Sequence, residues 1–195
     1  MRRHGLAADA LFGAIAGAVA TLAMGQVTSL MYATEGRAAR RREDRARGGK
    51  SAPTIGAERL AGAFGADLSG RQAEVAGEAL HFAMGIGAGA LYGVLRRRYP
   101  AVRAGRGLGF GAAFWLVMDE IANPLTGTTP GPMAFPWEAH ARGLAGHLAF
   151  GLAADAAMNV VETMRGLAPQ DPRMPAYAAR LEAAGGPFAR RLMVG

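Results

Sequence analysis

The chain has 195 residues, of which 51% are hydrophobic, 29 are glycine and only 7% are aromatic. Large core side chains are scarce, and long uncharged runs of small residues suit helices that pack backbone to backbone in lipid. The net charge of +7 would fit nucleic acid or an anionic membrane surface, and the lack of cysteine excludes disulfides and thiol catalysis.

No aromatics interleave with the arginines, as a single-strand binder requires, and no zinc-finger spacing occurs. Nucleic acid is therefore not expected as a partner. The lipid bilayer is.

In chain order, Met1-Arg2-Arg3-His4 precedes an uncharged run from Ala10 to Thr34. That opening resembles a signal peptide, but the run is longer than an apolar signal region of about 7–15 residues. A retained first transmembrane helix over Leu11 to Tyr32 is expected. Residues 35–77 form a polar, Arg-rich loop, whose stretch Arg37 to Lys50 has no apolar face and reads as a solvated loop or helix extension, with a lipid-headgroup site as the alternative. Ile55 to Phe64 has the pattern of a short amphipathic helix.

A second span is expected over Ala79 to Leu95, between Glu78 and Arg96-Arg97-Arg98, at the short limit for a crossing of about 20 residues. A third runs from Leu108 to Asn123, carries Asp119 and Glu120, and is closed by Pro124. A fourth runs from Gly143 to Met164. The expected fold is an all-α, polytopic transmembrane helical bundle of about four spans. Its parts are residues 1–34, 35–77, 78–165 and a basic tail, 166–195. Arginines are nearly balanced between the two sides, slightly favouring cytoplasmic termini, while the dense run at 37–50 argues the other way.

Gly85, Gly89 and Gly93 fall on one helix stripe, and Gly13 with Gly17, and Gly107 with Gly111, repeat the spacing. Such stripes bring helices close in lipid, within one chain or in a homo-oligomer. A phosphate loop is the alternative, but no Walker or Rossmann pattern accompanies them. The candidate intramembrane polar site comprises His81, Asp119, Glu120, Asn123, His147, Asp155 and Asn159. Carboxylates at membrane depth face a partner or water. Asp155, Asn159 and Glu162 share one helix face, and Asp155 is expected inside the bundle, paired across to His81 or Asn123. Asp119 and Glu120 could instead sit at the interface. Two histidines could ligate a haem or relay protons, or simply hydrogen-bond between helices. No nucleophile–base pair is readable, so neither enzymatic activity nor a cofactor or metal is expected.

The connection from Asn123 to Glu138 is rich in proline and threonine, with Trp137 suited to the headgroup level and Glu138 or His140 able to cap or pair at the next helix start. Pro124, Gly127, Thr129 and Pro130, then Pro136-Trp137-Glu138, then Gly146-His147-Leu148, resemble the YagU family of bacterial inner-membrane proteins over roughly residues 77–165. The resemblance implies a polytopic protein of the bacterial inner (cytoplasmic) membrane, linked in one branch to acid resistance. That branch is expected to be less acidic in the third span than Asp119 and Glu120 make this chain. The family brings no catalytic residues to carry over. A small transporter, channel-like protein or stress-response factor is the leading expectation. The alternatives are a membrane-embedded haem-binding or enzymatic protein and an assembly subunit of a larger complex.

Overall fold

The structure is a computed structural model, described over residues 5–164. Arg2, Arg3 and the tail 166–195 lie outside the described residues. Among the described residues every regular element is helical. Helix α1 spans Leu6–Thr34, α2 Arg37–Arg47, α3 Ala52–Ala63, α4 Gly70–Arg98, α5 Leu108–Trp115, α6 Asn123–Leu125 and α7 Trp137–Met164. One compact unit ends at Met158; the described part of a second, Asn159–Met164, is helical, with Thr163 Oγ1 donating to Asn159 O at 2.9 Å.

Three helices, α1, α4 and α7, are long and apolar enough to cross a membrane. The third expected span has a different character. Leu108 to Leu125 is helical throughout, but Leu116–Ala122 is π-helix, and the Asn123 N–H reaches back to Met118 O, five residues away. Pro124 gives the physical reason. It donates no N–H and in a regular α-helix its ring would collide with the Glu120 carbonyl, which a widened preceding turn avoids.

The Arg-rich stretch is also more ordered than its composition implies. It forms α2, closed by Gly48 in the left-handed conformation (φ 61°). Ser51 caps α3 by accepting the Thr54 N–H at 3.2 Å. Gln72 accepts the Ser69 N–H at 2.9 Å, so α4 starts at Gly70, well before the uncharged run at Ala79.

Glycine determines which helices touch. Gly13 and Gly17 of α1 meet Gly85, Gly89 and Gly93 of α4 in an antiparallel seam; a Cβ on Gly89 would fall on the Gly13 carbonyl and the Gly17 Cα. The α4 stripe is thus covered by α1 of the same chain. A second antiparallel seam sets Gly107 and Gly111 against the backbone of Gly151 and His147. Gly146 lets α7 approach Thr28 and Met24 of α1, and Gly77 lets α4 approach Thr54 of α3. Tyr92 and Phe150 are fully buried between these seams, with Ala16, Ala20, Ala154 and Met158. Phe114 links this core to His147, with ring centroids 5.0 Å apart. Leu11, Ile15, Val19, Leu22 and Leu30 lie exposed along α1.

Candidate functional site

The seams fix one end of the molecule, where α1 finishes and α4 and α7 begin. There the helices splay around a cavity of about 970 Å³. Thr21, Met24 and Thr28 come from α1, His81 and Met84 from α4, and His147 and Phe150 from α7. The π-helical stretch adds Met118, Asp119 and Glu120, and the following turns add Asn123, Thr128 and Thr129. Helix α3 and the 132–135 turn complete the lining, so one cavity has both an apolar and a polar side.

Five of the seven residues singled out in the sequence therefore converge: His81, Asp119, Glu120, Asn123 and His147 all line this cavity. Asp155 does not. It is buried in the opposite half of the helix pair, where the Tyr92 hydroxyl donates to its Oδ1 at 2.6 Å and Arg96 stands at 3.6 Å. Its partners come from another helix, as expected, but they are Tyr92 and Arg96 rather than His81 or Asn123. Asn159 belongs to the second unit.

Local geometry explains how each polar group is held. His147 Nδ1 lies 2.9 Å from the Gly143 carbonyl, four residues earlier on α7. A carbonyl only accepts, so Nδ1 carries the hydrogen and Nε2 is the basic nitrogen. Asp119 Oδ2 stands 3.7 Å from Nδ1, within ion-pair reach but beyond a hydrogen bond. Gly143 makes room for that approach: a Cβ there would sit 2.8 Å from Asp119 Oδ2 and 3.1 Å from Trp115 Nε1.

His140 behaves differently from a helix-start cap. Its Nδ1 lies 2.6 Å from Glu120 Oε1 and its Nε2 lies 3.1 Å from Pro132 O. Both ring nitrogens face oxygens, so His140 bridges Glu120 and the 132–135 turn. Asn123 is fixed by Thr128 Oγ1, which donates to its backbone O at 3.0 Å. Gly127, at φ 67°, turns the chain beneath Arg59, whose Nη1 donates to Thr126 O at 2.7 Å. Pro136 is buried, while Trp137 is exposed and Glu138 sits in the first turn of α7.

A second constellation closes the same end and was not singled out in the sequence. Arg142 is buried and donates to Glu35 at the end of α1 and, at 2.5 Å, to Glu43 of α2. Glu43 also takes Arg47 at 2.9 Å. The Tyr32 ring lies between Arg142 and Arg40, at 5.0 and 4.9 Å from their guanidinium carbons. Arg142 and Arg47 both reach the cavity lining, so α2 is pinned across it. The only sequence signal was the presence of a few acids, Glu35 flanking a basic run and Glu43-Asp44 interrupting it.

The model of a family described as a protein of unknown function, DUF1440, matches residues 52–156. This chain belongs to that family. The DUF1440 match begins at α3, earlier than the stretch of roughly residues 77–165 over which the chain resembles the YagU family, and includes most of the cavity wall. Helices α1 and α2 lie outside it, although α1 fills the glycine seam and α2 carries Glu43. No curated protein and no solved structure matches the chain. Among the described residues no group of three or more His, Asp and Glu could hold a metal ion. What the DUF1440 cavity offers chemically is hydrogen bonding, charge and proton exchange beside an apolar wall.

Proposed function

We propose that this chain is a four-pass integral membrane protein of the bacterial inner membrane whose cavity takes up a small solute, in the manner of a transporter or channel-like protein. The carrying observation is the cavity of about 970 Å³ lined by His81, Asp119, Glu120, Asn123 and His147. Polar groups at membrane depth are costly unless they face a partner or water, and a shared cavity lowers that cost. The fourth pass in this reading is Leu108–Leu125. It runs antiparallel to α7, from Gly107 beside Gly151 to Glu120 beside His140, and broken helices of this kind are tolerated where they line a cavity. The exposed leucine face of α1 supports a lipid surround.

The absence of cysteine makes the test clean. Met118→Cys, in the cavity, should react with a membrane-impermeant thiol reagent in sealed vesicles of one orientation. Leu91→Cys, on the exposed apolar face of α4, should not. Labelling of Leu91→Cys but not Met118→Cys would reject the cavity reading. Release of the protein by alkaline carbonate washing would reject the membrane reading itself. His81 and His147 line the same cavity, which supports a haem-binding or enzymatic alternative. A visible absorbance spectrum of the purified protein separates it, since a bound haem gives a Soret band.

A further inference from the structure

Helix α2 carries six arginines against two acids in the run RAARRREDRAR. Three of the arginines have partners. Arg40 donates to Ala33 O at 2.6 Å, Arg42 reaches Met133 O at 3.4 Å, and Arg47 pairs with Glu43. Arg37, Arg41 and Arg45 are exposed, and among the described residues no hydrogen bond or ion pair holds them. They fall at i, i+4 and i+8, on one ridge, where like charges repel. The ridge does not float free, because Glu43 on the same helix is buried under Arg142.

The surroundings are those of a membrane interface. Arg42 and Arg47 lay α2 against the 132–135 turn, in which Met133 is 91% exposed, and Trp137, two residues after it, is 73% exposed. A fixed cationic ridge on a helix that lies against a turn with exposed apolar and tryptophan side chains matches a segment seated at headgroup depth. Guanidinium groups bind phosphate through paired hydrogen bonds, and clustered arginines at a membrane face attract anionic lipid.

We propose that the Arg37–Arg41–Arg45 ridge docks on anionic phospholipid headgroups. This rests on the membrane reading above. The experiment uses the full chain with Trp115→Phe, which leaves Trp137 as its single tryptophan. The protein is reconstituted into vesicles in which either phosphatidylglycerol or phosphatidylcholine is brominated, at equal mole fractions, and quenching of Trp137 fluorescence is measured. Brominated phosphatidylglycerol should quench several-fold more strongly, and added salt should reduce the difference. Changing Arg37, Arg41 and Arg45 together to Gln should bring the ratio close to one. Changing all three to Lys should keep most of the preference, which guards against a fold defect in the Gln variant. Equal quenching by both lipids, in protein that stays in the pellet after carbonate washing, would overturn the proposal and assign the ridge to an acidic protein partner. An unchanged preference in the Gln variant would overturn it too. Loss of the protein from the pellet would instead mark failure of the membrane reading.

Discussion

Arg142 of α7 holds Glu43 of α2 at 2.5 Å, and the same guanidinium also holds Glu35 at the end of α1. One cation therefore ties three helices together at the rim of the cavity. Both acids are nearly inaccessible, with side chains 3% and 8% exposed.

Removing the cation should be costly. Arg142→Met strips the inaccessible Glu35 carboxylate of the cation that holds it and leaves Glu43 with Arg47 alone, a loss of about 3–5 kcal/mol for a broken buried pair. A lowered melting temperature in detergent should accompany faster trypsin cleavage within α2. Arg142→Lys should fall between, because a single ammonium lacks the planar fork that serves two acids. Trypsin resistance equal to wild type in Arg142→Met would show that α2 is held by other means.

Gly89→Leu should destabilise the α1–α4 seam. Overpacking a core costs about 1–3 kcal/mol, and here the added side chain meets backbone, which cannot rotate away. Leu91→Ala, two positions along but 52% exposed, should change the melting temperature little. Similar melting shifts for the two variants would contradict the packing seen here.

At Asp155 the order of variants is informative. Asp155→Asn keeps an oxygen for the Tyr92 hydroxyl but gives up the charge facing Arg96. Asp155→Ala loses both. Hydrogen bonds to charged groups contribute about 1.5–3 kcal/mol, so melting should fall modestly for Asn and clearly further for Ala. Tyr92→Phe should resemble the Asn variant. An Ala variant as stable as wild type would refute a structural role for this acid.

Pro124→Ala returns a backbone N–H to the helix and removes the ring that a regular α-helix would drive into the Glu120 carbonyl. The π-helical turn should tighten to ordinary α-helix, rotating Asp119 and Glu120 relative to α7. In a Met118→Cys background this should alter the labelling rate by a clear factor. An unchanged rate would mean that the wide turn is set by something other than the proline.

Much of this arrangement could be read from residue spacing. Glycines four apart announce a close helix contact whatever the partner, so Gly85, Gly89 and Gly93 were visible as a packing stripe. Isolated polar residues within apolar runs, such as His81, Asp119 and His147, have few places to go but a shared interior. Two features were hidden. The docking of α2 depends on Glu43 and Arg142, far apart in sequence, and a charge run with a minority acid looks the same whether solvated or pinned. The π-helical turn needs the exact strain ahead of Pro124, which composition does not reveal. Asp155 was legible as buried, yet its partners Tyr92 and Arg96 sit where the helix pair, rather than the cavity, closes.

The Arg142 contacts also bear on how the chain is made. Glu35 and Glu43 leave the ribosome long before their cation, which lies 107 and 99 positions further along. Until α7 is synthesised, the acids of the first loop have only local arginines, and α2 is held to α1 only through Arg40 at Ala33 and Tyr32. The rim of the cavity is therefore assembled last, and α7 acts as the closing piece. A ribosome stalled before Arg142 would carry a nascent chain whose α1–α4 seam can form but whose α2 remains open to protease.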